Sequence, residues 1–183
     1  MTQLNQAAPN RPQNENASEL NAHLLAAHKK SGSWLILGAI LACMSVVIGA
    51  FAAHALKAHL SEYQLGIIET AANYQMYHAL AIVLVAGLRI STANALLNTH
   101  VNDVFCLNRA FSRSLFCMLL GVVLFSLSLY LLALTNLKWF AFVTPIGGTL
   151  LIVAWLFLVY TAWLFKRHIS GRAERVAPTS EKQ

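Results

Sequence analysis

The strongest constraint on this chain is a run of 20 residues, 34–53, that contains no Asp, Glu, Lys or Arg. As a helix it would be about 30 Å long at ~1.5 Å per residue, which is enough to cross the hydrocarbon core of a bilayer. Stretches at about 72–90, 115–135 and 139–165 have the same apolar character. Of the 183 residues, 57% are hydrophobic and only 11% charged, too few to give four buried core helices a soluble surface. We predict an all-α fold, an integral membrane four-helix bundle with flexible polar N- and C-terminal tails.

The composition divides the chain into three parts. Residues 1–33 are predicted to be a polar cytoplasmic tail that is mostly disordered. Residues 1–17 are rich in Asn, Gln and Pro and have little to bury, and Ser18 is expected to cap a short helix that leads to the membrane surface. Residues 34–165 form the four-span transmembrane domain, and residues 166–183 form a basic cytoplasmic tail. The segment "SEYQ" at 61–64 has the form of a capping box. It predicts that the second helix begins before it enters the membrane.

The connection between the second and third spans and the connection between the third and fourth are predicted to differ. Residues 91–114 contain an apolar stripe with helical spacing, which favours a helix resting on the inner membrane surface over a loose loop. The stripe consists of Leu97, Val101, Val104 and Phe105. Only a few residues around 136–138 separate the third and fourth spans, so these spans should form an antiparallel hairpin.

Basic residues are concentrated on one side of the predicted membrane, and the formal net charge is +6. Lys29, Lys30, Arg89, Arg109, Arg113, Lys166, Arg167, Arg172 and Arg175 lie on that side, and Lys57 and Lys138 on the other. This asymmetry predicts that both termini are cytoplasmic in a bacterial inner membrane. The basic flanks favour contact with anionic lipid heads. The sequence has no combined set of aromatic and basic residues that would indicate nucleic-acid binding.

The polar and small residues within the predicted spans lie towards the outer half of the bilayer. Hydrocarbon cannot hydrogen-bond an amide or an imidazole, so these side chains should turn towards one another as a structural cluster or a ligand site. Pro145 should free a backbone carbonyl for a serine or glutamine, and Gly49 with Ala53 should form a close helix contact. The candidate cluster comprises Tyr74, Gln75, His78, Ser126, Ser128, Pro145, Gly147 and Gly148.

A second group of polar residues is predicted at the outer membrane interface. It comprises His54, Lys57, Glu62 and Glu69. Histidine and glutamate suit zinc, but the chain has no HExxH segment and no paired cysteines, so a solvated interfacial cluster is the preferred interpretation. No cofactor is implied. The common catalytic motifs are also missing, and we predict that the protein is not an enzyme.

Four segments of the chain resemble a known family of small bacterial inner-membrane proteins. They are "GAFAAHALKAHL", "YQMYHALA", "FSLSLYLLAL" and "WFAFVTPIGG", in this order within residues 34–165. The resemblance is to domain-of-unknown-function family 423, the YgdD-like proteins, with eukaryotic relatives called transmembrane protein 256. It implies a compact multi-span protein with no established activity. This chain has Ala52 and Leu127 where the family usually has glycine, and Leu127 should therefore change a close contact or face lipid.

Two functions remain open from the sequence. The first is a structural, accessory or interaction protein that holds a membrane-protein partner or forms a homo-oligomer. The alternative is a small ligand-binding or transport protein with a polar pocket in the outer half of the membrane. No Asp or Glu lies deep within a span, which disfavours a proton-coupled transporter.

Overall fold

A computed structural model describes residues 13–95 and 101–176 of the chain. The described residues form four long helices and one short 3-10 helix. Their bounds are α1 Gln13–Ala53, the 3-10 helix Leu56–Ala58, α2 Glu62–Ala95, α3 Val101–Thr135 and α4 Phe140–Val176. Four segments are long and apolar enough to cross a membrane: His28–Ala58, Glu62–Thr92, Phe105–Thr135 and Phe140–Arg167. The predicted all-helical, four-span fold is confirmed.

The helices pack in the order of the chain. α1 packs on α2, α2 on α3 and α3 on α4, while α4 makes no close backbone contact with α1 or α2. α2 and α3 therefore each have a helix on two sides, and α2 is the most buried of the four spans. Its Ile82 and Val85 pack with Leu115 and Met118 of α3 in the main apolar core. We call the half of the bundle nearer the α1–α2 and α3–α4 connections the loop end, and the other half the terminal end.

α1 contacts α2 through small residues spaced seven apart. Ser31, Gly38, Ser45 and Ala52 are the buried positions among the described side chains of α1. A Cβ added at Gly38 would lie 2.8 Å from Cγ2 of Val83 and 3.0 Å from the carbonyl oxygen of Ala79. A seven-residue repeat keeps one stripe of a helix against its neighbour, and small side chains let the two backbones approach closely. The expected contact through Gly49 is wrong, because nothing lies within 4 Å of a Cβ placed there.

α3 and α4 form the predicted antiparallel hairpin. α3 ends at Thr135, and Asn136 adopts a positive φ of 58°, a conformation that commonly ends a helix. Two glycines then interlock the helices. A Cβ at Gly121 would lie 2.6 Å from Cδ2 of Leu151, and one at Gly147 would overlap the backbone nitrogen of Phe125.

The capping box begins α2 as predicted. The Oε1 atom of Gln64 accepts the backbone N–H of Ser61 at 3.0 Å, and the Oγ atom of Ser61 accepts that of Gln64 at 3.3 Å. The amide nitrogen of Gln64 also donates to the carbonyl oxygen of Ala133 at 2.8 Å. The box therefore starts one helix and fastens it to the end of another.

The helices extend further towards the terminal end than the predicted spans do. α1 is helical from Gln13, so the disorder expected for residues 1–17 is wrong for residues 13–17. The short helix expected from Ser18 is instead part of α1 and continues into the first span; Ala, Leu, Glu and Lys in this stretch are good helix formers with no proline among them. The rest of that tail, residues 1–12, lies outside the described residues. α4 likewise continues to Val176, and residues 177–183 lie outside the described range.

The helix expected on the inner membrane surface is instead the beginning of α3. From Val101 the chain runs without a break into the third span, and Leu107 and Phe111 are buried in the main core. Phe105, which belonged to the predicted apolar stripe, is 57% exposed. The sequence did not distinguish the two cases, because an amphipathic helix has the same pattern whether its apolar side meets lipid or another helix. The side chains of Leu97, Val101 and Val104 lie outside the described set.

Candidate functional site

Gln75 joins three helices at the loop end. Its amide nitrogen donates to the carbonyl oxygen of Leu41 on α1 at 2.8 Å, and its Oε1 atom accepts the hydroxyl of Tyr130 on α3 at 3.1 Å. Only 4% of the residue is exposed. Both ends of this buried amide therefore have partners within the protein, as a polar side chain in hydrocarbon requires.

His78 extends the same arrangement to the fourth helix. Its Nδ1 atom lies 2.8 Å from the carbonyl oxygen of Tyr74, and its Nε2 atom lies 3.3 Å from the indole nitrogen of Trp155 on α4. A carbonyl only accepts and an indole N–H only donates, so the ring carries its proton on Nδ1 and a lone pair on Nε2. We call Gln75 and His78, with Tyr130 and Trp155, the polar clasp.

Several buried side chains fasten neighbouring helices by donating to backbone carbonyls. A helical carbonyl can accept a second hydrogen bond besides its own helical one, so these contacts do not break the helix that receives them. We call them interhelical ties. They run from Ser45 to Ala72 at 2.7 Å, Gln64 to Ala133 at 2.8 Å, Gln75 to Leu41 at 2.8 Å, Ser114 to Ala154 at 2.9 Å and Ser126 to Ala71 at 2.9 Å.

The two candidate serines of α3 lie on different faces. Ser126 donates to α2 through its tie, whereas Ser128 bonds to the hydroxyl of Thr144 on α4 at 2.9 Å and to the carbonyl oxygen of Phe125. Leu127 between them is 50% exposed and faces the lipid side. The residues expected as one cluster therefore form separate contacts along the helix interfaces.

The other members of the expected cluster do not join the clasp through their side chains. Tyr74 contributes its backbone carbonyl, while its ring is 42% exposed and packs beside Phe125 with centroids 4.7 Å apart. Pro145 is exposed, and no described serine or glutamine bonds to the carbonyl of Ala141 that it frees; the Ser128 hydroxyl has nearer acceptors. A Cβ placed at Gly148 would make only an ordinary van der Waals contact with the ring of Phe125, at 3.7 Å.

The predicted outer interface residues lie at the loop end and do not pack into the bundle. All four of His54, Lys57, Glu62 and Glu69 are exposed. Within the described part of the chain, no three His, Cys, Asp or Glu residues come together as a possible metal site.

The terminal end contains a feature that the sequence interpretation missed. Arg89 was expected as a charge in the inner loop, yet it is only 3% exposed. Its Nε atom donates to Oδ1 of Asn108, and its Nη1 atom is enclosed without a hydrogen-bond partner among the described residues. Nε2 of His28 and Oγ of Ser31, which lie towards the same end, are also buried without a hydrogen-bond partner among the described residues.

A cavity of about 300 Å³ adjoins Arg89. Residues of α1, α2 and α3 form its walls, and three of them carry positive charge. The lining residues are Ala26, Lys30, Arg89, Phe105, Asn108, Arg109 and Ser112. We call this space the basic cavity.

Comparison with known proteins identifies the family. The family described as "Protein of unknown function (DUF423)" matches residues 48–148. A UPF0382 membrane protein of Staphylococcus haemolyticus is 39% identical over 132 residues, which are 72% of this chain and 96% of that protein. The chain belongs to the DUF423 family. The resemblance of the four sequence segments is confirmed.

Relatives of this DUF423 chain occur in distant bacteria. The UPF0382 inner membrane protein YgdD of Escherichia coli is 36% identical over 133 residues, covering 73% of this chain and 91% of its own length. The UPF0382 membrane protein YwdK of Bacillus subtilis is 34% identical over 129 residues, covering 70% and 94% respectively. No solved structure matches the chain. It is therefore a multi-pass membrane protein of a family whose function is unknown.

The DUF423 match contains most of the polar clasp. Gln75, His78 and Tyr130 lie within the matched residues, and Trp155 lies beyond them. Ala52 and Leu127, the two positions at which the sequence resemblance leads us to expect glycine, have different surroundings. Ala52 packs with Ile68 and Ala133 at the loop end, whereas Leu127 is directed outwards.

Proposed function

We propose that this DUF423 protein is a non-enzymatic structural or interaction protein of the bacterial inner membrane. The observation that supports this proposal is the saturation of the polar clasp. Both ends of the Gln75 amide and both ring nitrogens of His78 have hydrogen-bond partners within the chain. A ligand at this position would have to displace those bonds, so the clasp is better suited to holding helices than to binding a ligand or passing a substrate.

The exposed faces of the flanking helices support an interaction role. Among the described side chains of α1, only the small-residue seam is fully buried, and large apolar side chains such as Ile36 and Phe51 are 65% and 58% exposed. Lipid tails, a second copy or another membrane protein would cover these faces equally well in hydrophobic terms. Extraction in a mild detergent should yield a complex heavier than the 20.1 kDa chain. A purely monomeric protein would limit the proposal to a structural role.

The structural role of the clasp is tested by replacing Gln75 with leucine. The control is Asn73→Leu, which makes a similar polar-to-apolar change at an exposed position of the same helix. Gln75→Leu should lower the unfolding temperature of the purified protein, and Asn73→Leu should not. If Gln75→Leu leaves the unfolding temperature unchanged but removes a small molecule that the unaltered protein retains, the ligand-binding alternative replaces the proposal.

The proposed orientation places both termini in the cytoplasm. Lys29, Lys30, Lys166 and Arg167 flank the spans at the terminal end, and this basic excess supports a cytoplasmic location and attraction to anionic lipid heads. A reporter that works only in the cytoplasm should be active when it is fused after residue 183. Activity of a periplasm-specific reporter at that position would reverse the assignment.

A further inference from the structure

The basic cavity places three cationic residues around one open-sided space. Lys30, Arg89 and Arg109 come from α1, α2 and α3 respectively, and none of the lining residues among the described side chains is Asp or Glu. Like charges brought together at the edge of a low-dielectric region repel one another. Burying a charge is also costly unless it is paired, which makes this space unfavourable when it contains only water.

The guanidinium of Arg89 is oriented by one hydrogen bond, and the described residues do not satisfy the rest of its donors. The bond from its Nε atom to Asn108 sets the orientation of the side chain, and Nη1 has no described partner. Because Asn108 accepts through its oxygen, its two amide hydrogens remain available as donors. The hydroxyl of Ser112, by contrast, is used within α3, where it donates to the carbonyl of Asn108 at 2.9 Å.

Arg109 is held at the wall of the same cavity. Its guanidinium carbon lies 6.0 Å from the ring centroid of Phe105, within the range of a cation–π contact. Arg109 and Lys30 are both exposed, so an anion can reach them from outside the bundle. The cavity thus has a buried, oriented guanidinium at its base and two accessible cations at its opening.

We propose that the basic cavity binds a phosphate group, with the headgroup of an anionic phospholipid as its source in the membrane. Arginine recognises phosphate through paired N–H donors, and basic pockets between membrane helices are typical sites for acidic headgroups. A volume of about 300 Å³ exceeds the ~30 Å³ share of one water several-fold and accommodates a phosphate with part of a headgroup. The exposed Phe105 ring offers apolar contact to the adjoining acyl chains. This site goes beyond the proposed structural role and does not depend on it.

The test measures lipid retention by the full chain in detergent, where no continuous anionic surface exists. The protein is incubated with phosphatidylglycerol or with phosphatidylcholine of the same acyl chains and analysed by native mass spectrometry. We expect one phosphatidylglycerol to be retained in preference to phosphatidylcholine. Lys30→Gln combined with Arg109→Gln should weaken retention by at least about tenfold, the loss expected for charge-assisted hydrogen bonds. Both residues are exposed, so this variant should remain folded.

A charge-matched control separates the cavity from general attraction. Arg113 and Arg167 are exposed basic residues towards the same end that do not line the cavity. Arg113→Gln combined with Arg167→Gln should keep retention within about twofold, because isolated exposed charges contribute little. Equal losses in the two double variants would overturn the proposal, as would the absence of any preference for phosphatidylglycerol.

Inorganic phosphate distinguishes the two possible sources of the bound group. If it neither raises the unfolding temperature nor displaces phosphatidylglycerol, the lipid is the source, as proposed. If it does both, and the Lys30 and Arg109 double variant abolishes the effect, the cavity is a phosphate site supplied from solution, and the lipid assignment is overturned. Because Gln75 lies at the other end of the bundle, these results are independent of the test of the structural role.

Discussion

The loop end and the terminal end treat buried polar groups differently. At the loop end, Gln75 and His78 have partners on all three other helices. At the terminal end, Arg89 is equally buried, but one of its nitrogens has no partner among the described residues and lies beside a cavity. Gln75 and Arg89 lie on α2 about 21 Å apart at ~1.5 Å per residue. The difference indicates that burial alone does not assign a role to a polar residue; the state of its hydrogen bonds does.

The largest effect is expected from adding a methyl group where α3 and α4 approach most closely at the loop end. Gly147→Ala would place a Cβ against the backbone of Phe125, which cannot move aside as a side chain can. The unfolding free energy should fall by about 2 kcal/mol, even after the gain in helix propensity. Gly49→Ala is the matched control, because nothing lies within 4 Å of its new Cβ. Chemical unfolding in mixed micelles measures both, and equal effects would show that the glycine contact is not close.

The next effect compares the two ends directly. Gln75→Leu removes two hydrogen bonds and should cost roughly 1–2 kcal/mol at the ~0.6 kcal/mol or more that each interhelical bond contributes. Arg89→Met removes a buried charge that is only partly paired, so without anionic lipid it should be neutral or stabilising. A large loss of stability for Arg89→Met in neutral detergent would contradict the difference between the ends.

A smaller effect is expected from a single interhelical tie. Ser126→Ala loses the bond to the carbonyl of Ala71 on α2 and should lower the unfolding free energy by ~0.6 kcal/mol. Ser112→Ala on the same helix loses only a bond to its own helix, at Asn108, and should have less effect. If the two variants were indistinguishable, the tie would contribute nothing beyond local bonding.

The sequence was sufficient to predict the helices but not all of the side-chain contacts between them. Charge-free runs and the capping box at Ser61 are local signals, and they predicted the spans and the start of α2. Tyr130 and Trp155 were missed because their partners lie 55 and 77 residues away along the chain. Arg89 was taken as a loop charge, since its position at the end of a span does not reveal that it turns inwards.

The seam of α1 could have been found from the sequence. Ser31, Gly38, Ser45 and Ala52 recur every seven residues, a period that indicates continuous helix packing. The small-residue pair that was expected to make the contact, Gly49 and Ala53, lies outside this repeat. The direction of Leu127 was left open, because only the placement of Ser126 towards α2 and Ser128 towards α4 turns the residue between them outwards.

The central claim is that polar groups at the loop end hold the helices by bonding to one another, and a double-mutant cycle between Gln75 and Tyr130 tests it most directly. Tyr130→Phe removes only the hydroxyl that donates to Gln75. The cycle with Gln75→Leu, measured by unfolding in bicelles, should give a favourable coupling free energy of about 0.6–1.7 kcal/mol. A coupling of zero, with the two single effects simply additive, would contradict the account.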